Sequence, residues 1–175
     1  MNNEIVWSKF NWSGIYNVAE NMKSMSDNMS KFISAQVLEK AVEKYSCGQL
    51  KYVGDTEDGL DFIGLIDGLR YELKSANKIY QPTTPYTKWL TLKNFRGNST
   101  GITKTFDKII AIDKGLHTTF LSDFEDLEME ERGANINCRL YKSTMETISE
   151  NDFDITKLKY INVEEKFNKF IEDII

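Results

Sequence analysis

Apolar positions recur at helical spacing most clearly over residues 30–45, where Ile33, Val37, Leu38, Ala41, Val42 and Tyr45 form one stripe. Ser30 is placed to cap the start of this helix, and Cys47-Gly48 to end it. Glu39 and Glu43 lie one turn apart and off the stripe, which reads as a solvated face. A weaker helix is expected over residues 14–29. The period then shortens to two. Residues 50–53, 60–66 and 69–75 read as strands, and Asp67-Gly68 reads as the two-residue turn of a tight hairpin between the last two. In the third strand Leu69, Tyr71 and Leu73 alternate with Arg70, Glu72 and Lys74, so Glu72 and Lys74 share a face. Residues 76–86 hold both prolines and read as a loop. Residues 89–95 fit a strand or the start of a short helix, and residues 96–101 a loop. Residues 106–112 form a buried strand, residues 135–141 a further one, and residues 163–175 a closing helix. Helices and strands in this order predict one α/β domain spanning 1–175, with a mixed central β-sheet flanked by helices.

Composition narrows the class. At 175 residues and 41% hydrophobic content the chain can bury a single core. No apolar run approaches the roughly 20 residues of a membrane span. The opening MNNEIVWSKFNWSG has no basic stretch followed by an apolar one, so a cytoplasmic protein is expected. Cys47 and Cys138 are not in a CxxC, and His117 is the one histidine. No structural zinc is expected, and both thiols read as reduced core residues. The net charge of −5 is unevenly spread. Residues 70–117 carry 9 Lys/Arg against 3 Asp/Glu, while the segments on either side are acidic. Phosphate binding depends on local positive charge, so the total does not exclude a nucleic-acid partner.

The hairpin carries the chemistry. Folding residues 60–75 back on themselves sets Asp61 near Glu72 or Lys74 on the neighbouring strand, where paired β-carbons approach within about 5 Å. Two gathered carboxylates repel unless a cation shares the site. A hard divalent ion suits oxygen ligands, and Mg2+ suits carboxylates. Such an ion neutralises a phosphate oxygen and activates a water, and an ammonium beside it can orient that water or stabilise negative charge. Asp58 and Asp67 are alternatives to Asp61, the first lying before the strand and the second in the turn.

The stretch from Asp61 through Gly68 to Tyr71-Glu72-Leu73-Lys74-Ser75 resembles the active-site hairpin of the PD-(D/E)xK nuclease family, and in particular its small type II restriction endonucleases. Leu60 stands where many members have proline. The resemblance implies a restriction-endonuclease-like fold, with Asp61, Glu72 and the Leu73 carbonyl as metal ligands and Lys74 as the water-orienting residue. It also implies Mg2+, cleavage of double-stranded DNA at a palindromic site, a homodimer, and a partner DNA methyltransferase that protects the host. A repair nuclease, a junction resolvase and a DNA-binding module on an inactive scaffold are the alternatives. Other nuclease signatures fail: Gly14-Ile15-Tyr16 and Tyr52-Val53-Gly54 are separated by a helix, and His117 stands alone.

Substrate contacts are expected downstream of the catalytic strand. Asn77, Lys78, Lys93, Asn94, Arg96 and Asn98 are candidate DNA-binding residues, because Arg and Lys pair with guanine edges and Asn with adenine. Tyr80, Tyr86 and Trp89 are interspersed and could stack or pack.

Overall fold

Two helices open the chain and pack closely enough to exclude a side chain. In the computed structural model, which describes residues 3–25, 31–54, 56, 59–92, 97–98, 101–102, 104–133 and 135–149, α1 spans Trp12–Met25 and α2 spans Lys31–Tyr45. α1 starts earlier than periodicity suggests, because the Asn11 carboxamide oxygen accepts the Gly14 N–H at 3.0 Å and so caps the first turn. A β-carbon on Gly14 would come within 2.8 Å of the Tyr45 ring, so glycine here permits the helix contact. Ile15, Tyr16, Val18, Ala19 and Met22 of α1 are buried with Val37, Leu38, Ala41 and Val42 of α2. The stripe expected on α2 is therefore the inner face. The proposed Ser30 cap lies outside the described residues.

The helices cover one face of a six-stranded mixed sheet. Its strands are β1 (Leu50–Tyr52), β2 (Phe62–Gly64), β3 (Arg70–Ala76), then, skipping three short strands, β7 (Lys108–Asp113), β8 (Thr118–Asp123) and β11 (Glu146–Thr147). The spatial order is β1-β2-β3-β7-β8-β11. β3 and β7 run parallel, with Glu72 beside Ile109 and Lys74 beside Ala111, and the remaining pairs are antiparallel. The intervening strands are β4 (Leu90–Leu92), β5 (Gly97–Asn98) and β6 (Gly101–Ile102). β9 (Glu128–Arg132) and β10 (Asn135–Arg139) join β4 in a second sheet, ordered β4-β10-β9. β5 and β6 pair with each other, so the segment expected as a plain loop contains a short ribbon.

Alternation along β3 and β7 splits the core in two. Phe62, Tyr71, Leu73, Ile110 and Ile112 pack with the helices, while Ile109, Ala111 and Phe120 pack with Leu90, Leu92, Ile136 and Cys138 of the smaller sheet. The layers are thus helices, large sheet and small sheet. Cys138 is a core thiol as expected, but Cys47 is exposed, just past the end of α2 with φ 54°. β8 and β9 were not marked by periodicity. Thr119, Phe120, Leu121 and Ser122 are all buried, so β8 does not alternate, and the acidic Glu-Met-Glu-Glu-Arg of β9 has no buried residue. The closing helix expected at 163–175 lies outside the described residues.

The hairpin between β2 and β3 departs from the expected tight turn. Gly64 N–H donates to Leu69 O at 2.8 Å and Gly68 N–H to Gly64 O at 2.9 Å, so residues 65–68 form a four-residue loop. Among them only Gly68, at φ 71°, has positive φ. The Asp67 carboxylate explains this geometry, since it accepts both the Leu69 N–H at 3.0 Å and the Tyr71 hydroxyl at 2.6 Å. It lies over Gly64, where a β-carbon would meet Asp67 Oδ1 at 2.0 Å. Leu65 and Ile66, expected in the strand, are instead exposed at its tip.

Candidate active site at the open edge of β3

The site forms where β2 parts from β3. Their register ends at Phe62 opposite Tyr71. Just before it, the Asp61 N–H donates to Tyr71 O at 3.1 Å, while the Asp61 carbonyl turns the other way and accepts the Val53 N–H at 2.8 Å. Upstream, Gly59 at φ 70° turns the chain, and the Thr105 hydroxyl donates to Gly59 O at 2.8 Å to hold it there. At the next ladder position a side chain replaces the missing strand, as Asp61 Oδ2 accepts the Leu73 N–H at 2.7 Å. Asp61 therefore reaches into the plane of the sheet and is not one half of a cross-strand pair on its face. The N–H and C=O of a strand residue project to the same edge, so the Leu73 carbonyl faces the edge that Asp61 occupies.

Glu72 and Lys74 share the opposite face from Tyr71 and Leu73, as period two requires. They form an ion pair through Glu72 Oε1. Glu72 is 4% exposed, and among the described residues its Oε2 is the buried side-chain polar atom left without a hydrogen-bond partner. A buried carboxylate oxygen with no donor is costly, and such atoms are rare in folded proteins. Burial first, and then the negative charges of Glu72 and Glu39, push the Asp61 carboxyl up to about 8, against the opposing pull of Lys74 and the Leu73 N–H. Burial opposes the charge on Lys74, but Glu72, Asp61 and Glu39 outweigh it and raise its pKa.

Glu39 is not on the solvated face that its place off the apolar stripe predicts. It is half-buried on α2 and lines, with Lys74, Trp89 and Thr91, a cleft of about 320 Å³ between α2, the open edge of β3 and β4. Its position one helical turn from Glu43, whose carboxylate accepts the Tyr52 N–H at 2.9 Å, was the available signal: both acids face the sheet edge. Periodicity placed Glu39 off the apolar stripe but could not see β3 beside it.

The remaining candidates divide. Asp61, Glu72, Leu73 and Lys74 come together. Asp67 is committed to the hairpin loop, and Asp58 lies outside the described residues. Asn77 and Lys78 are exposed immediately after β3. Asn98 is in β5, and Lys93, Asn94 and Arg96 lie outside the described residues. His117 belongs elsewhere, hydrogen-bonded through Nε2 to Glu20 of α1 at 2.6 Å. Burial pushes the Cys138 thiol up to about 12, so it is an inert core group.

The donor set tests the expected cation. Among the described residues no group of three or more His, Cys, Asp or Glu is gathered as a metal-binding set. What is present is two carboxylates, one with an unpartnered oxygen, and a strand-edge carbonyl. That fits Mg2+, which binds through one or two carboxylates and keeps several waters, and not zinc. No helix among the described residues is long and apolar enough to cross a membrane. No family model, curated protein or solved structure matches the chain.

Proposed function

We propose that this chain is a Mg2+-dependent endonuclease with a restriction-endonuclease-like fold, acting on double-stranded DNA. The observation that carries the proposal is the buried Glu72 Oε2, left without a hydrogen-bond partner in a site that also holds the Asp61 carboxylate and the Lys74 ammonium. A site with this surplus of buried negative charge is completed by a cation.

Asp61, Glu72 and the Leu73 carbonyl would hold that ion, which when bound supplies charge neutralisation at phosphate and a lowered pKa of water. The chain's own groups do the rest. Asp61 is fixed by the Leu73 N–H and does not have to reorganise. Lys74 is poised by Glu72 to donate to a water or to a developing oxyanion. Glu39, on the far wall of the cleft, adds negative charge that favours cation entry. Asn77 and Lys78, exposed just beyond β3, would contact the DNA; Lys93, Asn94, Arg96 and Asn98 are proposed contacts from their residue types alone.

Within this reading the role is restriction: a type II enzyme cutting a palindromic site, as a homodimer with one site per protomer, in the cytoplasm of a cell whose DNA a methyltransferase protects. The support for restriction is the hairpin sequence.

The test is incubation of plasmid DNA with the protein in Mg2+, in EDTA, and with Glu72→Ala and Lys74→Met. Cleavage is expected only for the wild type with Mg2+. Cutting that persists in EDTA or in Glu72→Ala refutes the site. Discrete fragments from unmethylated DNA favour restriction over repair or junction resolution.

A further inference from the structure

Hydrogen-bonded pairs of an antiparallel ladder recur every two residues on each strand. With the Asp61 N–H on Tyr71 O, the next pair between β2 and β3 would be Gly59 with Leu73. In that pair the Leu73 N–H would go to the Gly59 carbonyl, and the Leu73 carbonyl would take the Gly59 N–H. Other partners hold the two groups apart. The Leu73 N–H donates to the Asp61 carboxylate at 2.7 Å, and the Gly59 carbonyl accepts the Thr105 hydroxyl at 2.8 Å. Gly59, at φ 70°, carries the turn away from β3. A β-carbon on it would lie 3.1 Å from Thr105 Oγ1, so the hydroxyl sits close over the glycine.

Thr105 delivers this hydroxyl from a fixed base. Phe106 is fully buried in the same cluster as Leu60, and its ring meets that of Phe124 edge-on at 5.1 Å. The Asp107 N–H donates to Arg70 O at 2.9 Å. Its carboxylate accepts the Arg70 N–H at 2.9 Å, Nε at 3.0 Å and Nη2 at 2.9 Å. The Phe124 N–H donates to Asp107 O at 2.8 Å. The segment before β7 is thus tied to the start of β3 and to the residue after β8, and from there Thr105 reaches the turn that leads into β2.

We infer that Thr105 is a positioning residue of the active site: its hydroxyl keeps the Gly59 carbonyl off the Leu73 N–H, reserving that N–H for Asp61 and holding the β3 edge open. The inference rests on the nuclease reading and adds a residue to it. Pairing Gly59 with Leu73 would disable the site in two ways. Asp61 would lose the donor that fixes its carboxylate. The Leu73 carbonyl, a proposed ligand of the cation, would be covered by the Gly59 N–H. Both arrangements satisfy the Leu73 N–H, so the choice between them falls to the groups that hold Gly59, and the Thr105 hydroxyl is one of these.

The partner of the Leu73 N–H can be read by NMR of the full, metal-free chain, from scalar coupling across the hydrogen bond. In the wild type the Leu73 nitrogen should couple to the Asp61 carboxyl carbon. Thr105→Val keeps the side chain's shape and removes the hydroxyl. It should shift the balance from Asp61 towards Gly59 by about 2- to 13-fold, the weight of one neutral hydrogen bond. Adding Gly59→Ala should shift it by about 5- to 30-fold more, because a β-carbon disfavours positive φ. Thr105→Ser, which keeps the hydroxyl, should behave as the wild type and controls for folding. Coupling that stays on Asp61 undiminished in the double variant overturns the positioning role. So does a Leu73 amide coupled to neither carbon, or a Thr105→Ser chain that behaves as Thr105→Val. On plasmid in Mg2+, Thr105→Val should lower kcat and leave KM unchanged, and Thr105→Ser should restore kcat. Equal cleavage by all three chains keeps the nuclease reading and defeats the positioning role. A plasmid that the wild type leaves uncut, with the Leu73 coupling shifted as expected, defeats the nuclease reading and keeps the hold of Thr105 on Gly59.

Discussion

Asp61 is the residue whose titration reports the site. Its folded-state pKa of about 8 is well above the roughly 3.9 of a free aspartate, because burial and the charges of Glu72 and Glu39 penalise the ionised form. The sign follows from linkage: between those two values the unfolded chain gives up this proton and the folded chain keeps it. The metal-free protein should therefore lose stability as pH rises from about 4 to about 8, and change little through this group beyond. Urea melts across that range measure the slope, which Asp61→Asn should flatten. Glu39→Gln should move the upper end of the transition to lower pH, since it removes one of the charges that raise Asp61. A slope unchanged in Asp61→Asn would place the proton on another group. Of these residues, the shared face of Glu72 and Lys74 was legible from period two, while Asp61 was brought near them only by the expected hairpin, with Asp58 and Asp67 as alternatives. Glu39 was not legible, because its role depends on which strand edge α2 lies against, and that contact is between residues distant in sequence.

At the level of the element, the β2–β3 hairpin owes its shape to Asp67. The dipeptide Asp67-Gly68 advertised a turn, and a turn is there, but its length was misread. The local signal could not register that Asp67 would reach across the loop to the Tyr71 hydroxyl and over Gly64. This matters for the site, since a two-residue turn would set Asp61 opposite Lys74, whereas the observed register ends with Phe62 opposite Tyr71 and leaves the Asp61 carboxylate on the Leu73 N–H. Asp67→Ala removes two hydrogen bonds to a carboxylate, and should cost about 1.5–3 kcal/mol for each that is not replaced by water. Gly64→Ala drives a methyl group into the space of the same carboxylate and should break the same bonds. The two substitutions thus act on one interaction, and thermal melts of both singles and the double should show a combined cost well below the sum. Additive costs would mean that the Asp67 carboxylate does not lie over Gly64.

For the molecule as a whole, charge is sorted along the central sheet, and this refines what the basic middle segment meant. At the end where β3 and β7 begin, its cations are already paired. Arg70 holds Asp107 at 2.9 Å, Lys104 holds Glu125 at 2.5 Å and Lys108 holds Asp123 at 2.5 Å. Sequence could count these cations but not foresee their partners, because β8 and the turn after it, which supply Asp123 and Glu125, carried no periodic signal. The cleft lies at the other end of β3, where Lys74 is buried against Glu72 and Lys78 is exposed. A cation already paired with a carboxylate releases no counterion when phosphate approaches, so of these cations only Lys78 should contribute to DNA affinity through salt. The slope of log K against log salt falls by about 0.9 for each phosphate contact removed from duplex DNA. Lys78→Ala should reduce the slope by about that amount, while Arg70→Ala and Lys108→Ala should leave it unchanged. Equal reductions in all three variants would mean that DNA covers both ends of the sheet, and would move the binding face away from the open edge of β3.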